Sequence, residues 1–289
     1  MTAIAELEPE RVFEGVYGVA KKRRLHTKGG QAYLALELVD ATGRVEGRVW
    51  NDVDLLDARF AEGDAVRVLG RVEKFRDKLQ LEVRSIEAAP GVEPAALTPA
   101  SRRNLNDTDG FLEFLAEEIT HPGLRAVVGR FINDERLRGL LRELPASLDS
   151  HHDYAGGLLE HTVGVATICR ETAQLHPRLR SDLLVAAALL HDVGRTVELT
   201  RGPAFAPTPE GRLLGHVHLG LRLIEERAEA VSDGALPATV RAELLHAVAS
   251  HHDARGARTA EAAVLYHANQ LDAVAATRSV DGTGGGATG

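Results

Sequence analysis

The hydrophobic rhythm of the chain changes near residue 90. Before that point apolar residues alternate with polar or small ones. In Tyr33-Leu34-Ala35-Leu36-Glu37-Leu38-Val39 the leucines recur at every second position, the pattern of a strand with one buried face. Asp40-Ala41-Thr42-Gly43 reads as a turn, and residues 44–50 as the strand that returns from it, which makes a hairpin. Further strands are predicted over 12–19, 65–72 and 79–86. A short helix is predicted over 52–60, between the third and fourth strands. Five short strands of this kind predict a small all-β barrel.

The stretch 88–99, AAPGVEPAALTP, holds three prolines among small residues and reads as a linker. Beyond it the rhythm is helical. Phe111, Leu112, Leu115 and Ile119 repeat at three and four residues. Residues 183–190 are apolar without interruption, so their helix is expected at the centre of a bundle. More helices are predicted over 213–230, 237–251 and 259–277, and the closing GTGGGATG reads as a flexible tail. The expected organisation is therefore a β domain over 1–88, a linker over 89–104, a helical domain over 105–278 and a tail over 279–289.

Composition adds three constraints. A single cysteine, Cys169, excludes an internal disulfide and any cysteine-based zinc site, and fits a reducing, cytoplasmic setting. The acidic opening MTAIAELEPE lacks an apolar core, and no apolar run reaches the roughly 20 residues a membrane helix needs, so no membrane association is expected. The net charge of -8 argues against a generally basic nucleic-acid coat, so contact with nucleic acid would be local.

Histidine carries the chemistry. Of 13 histidines, 12 follow residue 120. They fall in clusters with carboxylates: His161 after Gly156-Gly157, His191-Asp192 before Gly194, His216 after Gly215, His251-His252-Asp253, and Asp272 on an apolar background. His191-Asp192 taken alone could be an ordinary helix end, with a cation near the negative pole of the dipole. A charged Asp after so apolar a helix is costly to bury without a compensating cation. Together the clusters offer imidazoles and carboxylates from five helices, a donor set suited to metals of borderline hardness.

The order H…HD…H…HH…D resembles the HD superfamily of metal-dependent phosphohydrolases over residues 105–278. The resemblance implies that His161, His191, Asp192 and Asp272 hold one metal, and that Asp192 bridges to a second held by His216 and by His251 or His252. The barrel pattern resembles an OB-fold. An OB-fold followed by HHDYAGGLLEHT, LLHDVGRTVEL, LLGH, SHHD and LYHANQLDA resembles the YhaM-type 3′→5′ exoribonucleases over nearly the whole chain. Within that pattern His151 and His152 are expected near the substrate phosphate. Many HD phosphohydrolases carry Lys after HDxG. Arg195 stands there instead, keeps the charge and can grip phosphate bidentately. Asn269 stands where an acidic residue is expected.

These resemblances imply a two-domain protein, an all-β OB-fold barrel followed by an all-α HD bundle. It would use two divalent ions, Mn²⁺ favoured and Fe²⁺, Co²⁺, Zn²⁺ or Mg²⁺ open to it. Its reaction would be 3′→5′ exonucleolytic hydrolysis of single-stranded RNA, with single-stranded DNA a second candidate, and with Asp192, Arg195 and His152 as catalytic residues. Two metals suit such hydrolysis because they make hydroxide available near neutral pH and neutralise phosphate oxygens. The alternative is hydrolysis of nucleotides, cyclic dinucleotides or other small phosphoesters, with the barrel serving regulation or homo-oligomer formation. Residues 1–90 hold 15 Lys/Arg against 16 Asp/Glu, so the barrel is nearly neutral overall. Its basic residues concentrate at Lys21, Lys22, Arg23, Arg24 and Lys28, expected in the loop after the first strand, and at Lys74, Arg76 and Lys78 in a second turn. Such loops flank the strand-binding groove of OB-folds, and Tyr33, Phe75 and Trp50 are candidate stacking rings, although the barrel core is the expected place for Trp50.

Overall fold

The computed structural model describes residues 1–148, 150–231 and 235–277. The tail expected over 279–289 lies outside the described residues. The chain forms two compact units, residues 1–100 with 200–206 and residues 101–199 with 207–289.

The first unit is a closed barrel of five strands: β1 (Val12–His26), β2 (Ala32–Asp40), β3 (Gly43–Val49), β4 (Ala65–Phe75) and β5 (Lys78–Ala88), in the order β1-β2-β3-β5-β4. A helix, α1 (Val53–Asp57), lies between β3 and β4. β3 and β5 run parallel and the other pairs antiparallel, with β1 closing the barrel against β4. The alternation foreseen in β2 is realised: Leu34, Leu36 and Leu38 face the core with Tyr17, Val68, Leu81 and Ile86.

One expectation fails here. β1 does not end at residue 19. It passes a bulge between Val19 and Lys21 and continues to His26, paired with β2 from Lys21↔Glu37 to His26↔Ala32. Lys21-Lys22-Arg23-Arg24 are therefore strand residues, and only Lys28 sits in the turn. The long partner strand β2 explains the extension, because it offers ladder hydrogen bonds along that length and a cross-strand carboxylate for Lys21.

The second unit is all α. Its helices are α2 (Leu105–Glu117), α3 (Pro122–Ile132), α4 (Glu135–Glu143), α5 (Gly157–Leu175), α6 (Ser181–Leu190), α7 (Arg195–Glu198), α8 (Pro209–Glu229), α9 (Ala238–Ala249) and α10 (Ala260–Thr277). Residues Leu183 to Leu190 of α6 are all buried, so α6 is the hub, packed against α5, α9, α10 and α3. Caps set several helix starts: Asn104, Asp134 and Thr208 side chains each accept a first-turn backbone N–H. His121 does the same for α3, which gives that histidine a structural task. No helix among the described residues is long and apolar enough to cross a membrane.

Candidate metal centre

Four helix ends and one helix middle bring the histidines together. α6 stops at Leu190, and His191 and Asp192 follow at once. α9 stops at Ala249, and His251 and His252 follow Ser250. α8 breaks at Gly215, φ 69°, just before His216. His161 lies in the first turns of α5, and Asp272 two-thirds along α10. Gly194 permits the closest approach. A Cβ there would lie 1.9 Å from the His216 carbonyl oxygen, so only glycine lets the turn after His191-Asp192 seat on α8.

The ring nitrogens divide their labour. His191 Nδ1 donates to the Ala188 carbonyl at 2.7 Å and His251 Nδ1 to the Val248 carbonyl at 2.6 Å. His161 Nδ1 donates to Asp272 Oδ2 at 2.7 Å, since a carboxylate can only accept. Each Nε2 is thereby left as a lone pair facing inward. His161 Nε2 and His191 Nε2 are 3.2 Å apart, and Asp192 Oδ2 lies 3.8 and 3.7 Å from them. On the other side of the carboxylate, His216 Nε2 and His251 Nε2 lie 3.3 and 3.5 Å from Asp192 Oδ1. His252 Nε2 adds to this side, 3.0 Å from His216 Nε2.

The Nε2 atoms of His161, His191 and His251 and the oxygens of Asp192 thus gather as acceptors. Asp192 Oδ1 and His251 Nε2 are buried and have no hydrogen-bond partner among the described residues. That is the pattern of ligands awaiting a cation, with the opposite ring nitrogens tied to oxygens as metal-binding histidines are. Among the described residues, three sets have donor atoms within 4.8 Å of one another: His161, His191 and Asp192; Asp192, His216, His251 and His252; and His152, His161 and Asp272. Asp192 belongs to the first two sets. Asp272 groups with His152 and His161, and supports the first set through His161 Nδ1.

The charges respond to this crowding. Burial alone would raise Asp192, but the Arg195 guanidinium and His191 beside it hold it well below the usual carboxylate range. Burial likewise opposes ionisation of Asp272, yet hydrogen bonds from His152 and His161 hold it low. Complete burial pushes His191 well below its ordinary value. Burial and neighbouring histidines bring His151 and His252 to about 4.

Arg195 is partly buried between two carboxylates, 3.4 Å from Asp192 Oδ2 and 2.9 Å from Glu198 Oε2. Glu198 went unnoticed in the sequence. It also accepts the His216 backbone N–H at 3.2 Å and faces His216 Nδ1 at 3.5 Å, and its spacing of three from Arg195 was the available signal. His151 lies against His161, ring centres 4.8 Å apart. Asn269 is buried and donates to the His251 carbonyl, so it steadies the histidine pair where an acid was expected. His246 accepts from the Arg258 backbone N–H and is occupied there.

On the barrel, the expected nucleic-acid residues separate. Lys22 is turned inward: its ammonium donates to the carbonyls of Asp57 and Phe60 and pairs with the Asp57 carboxylate at 2.8 Å. Arg24 pairs with Asp54 and Asp57, and Lys21 with Glu37. Arg23 and Lys28 are exposed. Lys74 pairs with Asp77 on the β4–β5 turn. A concave surface of about 710 Å³ lies on β2, β3 and that turn, and Phe75, Arg76 and Lys78 line it together with Arg44 and Arg48, which sequence reasoning missed. Trp50 lies outside the barrel core and stacks on Tyr33, centres 4.7 Å apart, with Arg48 on the Tyr33 ring.

Residues 158–274 match the HD domain family, and residues 16–89 match the OB-fold nucleic acid binding domain family. The chain joins an OB-fold to an HD domain. The relatives that it resembles along most of its length carry the name 3′-5′ exoribonuclease YhaM. The protein of that name from Oceanobacillus iheyensis is 28% identical over 243 residues, 83% of this chain and 75% of the relative. The one from Geobacillus sp. is 28% identical over 260 residues, 86% of this chain and 79% of the relative. The residues from His161 to Asp272 in this cluster lie within the HD-domain match, and their donor atoms could hold a divalent metal.

Proposed function

We propose that this protein is a metal-dependent 3′→5′ exonuclease of single-stranded RNA. The observation that carries the reading is the set of donor atoms around the buried Asp192 carboxylate, in the same chain as an OB-fold. The direction of attack and the RNA substrate come from the relatives' name.

In this reading Asp192 would belong to two ligand sets, each of which would hold a divalent ion. His161 and His191 complete one set, and His216, His251 and His252 the other. Mn²⁺ is the favoured ion. Bound there, the ions lower the pKa of a water and neutralise phosphate oxygens. The protein's own groups do the rest. Asp192 anchors both sets with one carboxylate. Asp272 orients His161 through Nδ1 and offers its carboxylate to the same cluster. Arg195, held by Glu198, offers its guanidinium to the substrate phosphate, and His151 lies beside the same sets. On the barrel, Arg48, Arg76 and Lys78 meet the phosphate backbone, while Phe75 and the Tyr33–Trp50 pair stack on bases.

The test uses 5′-labelled single-stranded RNA with metal-replete protein and with Asp192→Ala. A descending ladder that the variant fails to produce supports the proposal. Intact RNA in Mn²⁺, Co²⁺ and Mg²⁺, with turnover of small phosphoesters, overturns it in favour of a small-molecule phosphohydrolase.

A further inference from the structure

The loop ahead of His161 is held more firmly than a contact to substrate requires. His152 has φ 49°, a left-handed conformation that residues other than glycine keep only when their surroundings enforce it. Three contacts enforce it. The Ala146 N–H donates to the His152 carbonyl at 3.0 Å. Gly157 lies against the same carbonyl, where a Cβ would come within 2.1 Å. His152 Nδ1 lies 2.8 Å from the Tyr154 hydroxyl.

Tyr154 leads on to a buried acid. Its hydroxyl is 3.1 Å from Oε2 of Glu160, which is 7% exposed. The Glu160 carboxylate also accepts from the Ser101 hydroxyl and pairs with Arg103 at 3.5 Å. A carboxylate only accepts, so the Tyr154 hydrogen goes to Glu160 and the Tyr154 oxygen accepts from His152 Nδ1–H. That leaves Nε2 as the ring atom that faces Asp272 Oδ2, at 3.0 Å, and donates to it when the ring is protonated. A metal that takes the place of this proton satisfies both atoms. A histidine bound to a metal through one nitrogen and to an oxygen through the other is the usual arrangement.

We propose that His152 is a further ligand of the metal cluster, through Nε2 and alongside Asp272, and that Tyr154 and Glu160 are positioning residues that hold it there. The inference rests on the metal centre of the proposed function but not on its substrate. It gives roles to four residues of the motif HHDYAGGLLEH: His152 binds, Tyr154 and Glu160 brace, and Gly157 makes room for the His152 backbone.

The test is a double-mutant cycle read in metal affinity. Mn²⁺ binding is measured by calorimetry for the full chain, Tyr154→Phe, His152→Ala and the double variant, with the melting temperature of each metal-free form. Tyr154→Phe is expected to weaken binding by about 10-fold or more, the usual effect of removing a group that orients a ligand. In the His152→Ala background it should add nothing, and the metal-free melting temperatures should agree. Losses that multiply, or an unchanged affinity in Tyr154→Phe, overturn the proposal. Should Tyr154→Phe fold poorly, Glu160→Gln answers the same question: a weaker affinity that vanishes without His152 supports the brace, and an affinity equal to the parent's refutes it. A protein that binds Mn²⁺ in this manner but leaves RNA intact refutes the proposed substrate alone.

Discussion

Replacing Asp192 by Asn isolates the carboxylate charge at the centre of the site. Asp192 is 3% exposed and lies within 3.8 Å of Nε2 atoms from four histidines, so one substitution touches both principal ligand sets. Asn keeps the volume and one acceptor oxygen. A unit charge at 4 Å from another is worth about 4 kcal/mol at an effective dielectric of 20, roughly three orders of magnitude in binding, and a divalent ion feels more. A loss of at least about 100-fold in affinity is a cautious expectation once desolvation is subtracted. At a Mn²⁺ concentration 100 times the parent's Kd, binding stabilises the folded state by about 2.7 kcal/mol. For a unit of this size that is a rise in Tm of about 5–10 °C. In Asp192→Asn the rise should shrink to a degree or two, and the metal-free Tm should itself fall, because the ionised carboxylate that Arg195 and His191 stabilise is lost. Thermal melts with and without Mn²⁺ read both quantities, and single-turnover RNA cleavage should drop by about 1,000-fold or more. Half or more of the parent's Mn²⁺-induced rise in the variant would refute the bridging role.

Other predictions follow from burial and pairing. Stability of the metal-free protein should fall with pH between about 6.5 and 4. Unfolded histidines titrate near 6.5, whereas folded His191 sits well below and His151 and His252 at about 4, so acid protonates the unfolded chain first. The slope is up to about 1.4 kcal/mol per pH unit for fully buried His191, and less for His252, which solvent screens. Asp192 and Asp272, held low, add their loss only below about 4. Urea melts in a chelator between pH 7.5 and 4.5 should show the decline, and a flat profile contradicts it. Phe75→Ala should weaken binding of single-stranded RNA by about 1–3 kcal/mol. Lys22→Ala should instead lower barrel stability and leave the salt dependence of binding unchanged, and filter binding with a salt titration separates the two. Cys169, fully buried with its thiol pushed up to about 12, should resist thiol reagents at pH 8 until the protein unfolds; rapid labelling of the native protein would contradict this burial.

The parts legible in the sequence were those where residue type and local rhythm coincide. β2 follows its leucines, α6 its unbroken apolar run, and the histidines cluster because few residue types suit the chemistry. The parts that escaped depend on partners distant in the chain. The basic run 21–24 reads as open charge until α1, some thirty residues on, brings Asp54 and Asp57 to Arg24 and Lys22. Arg48 and Trp50 flank Tyr33 only through the β2–β3 register. Tyr154 and Glu160 are ordinary residues in a motif whose histidines draw attention first. Nothing in the composition marks residues 200–206 as part of the first unit, because that assignment depends on contacts made across the chain.

The two strongest motifs, His191-Asp192 and His251-His252, work by one device that sequence does carry. Each begins one or two residues beyond the end of a long helix, α6 or α9. A helix end leaves carbonyl oxygens without intrahelical donors. In both places the first histidine turns its Nδ1–H back to the carbonyl three residues earlier, Ala188 or Val248. One hydrogen bond then settles three matters. It engages a carbonyl in the last turn of the helix, fixes the tautomer, and sends Nε2 away from the helix toward the space where the ends of α6, α8 and α9 meet. The following residue, Asp192 or His252, then supplies a second donor to the same space. A histidine placed just past an apolar helix, with a second donor directly after it, is thus predisposed to bind metal through Nε2 by the helix that precedes it. In this protein the device occurs twice, and Asp192 joins the two.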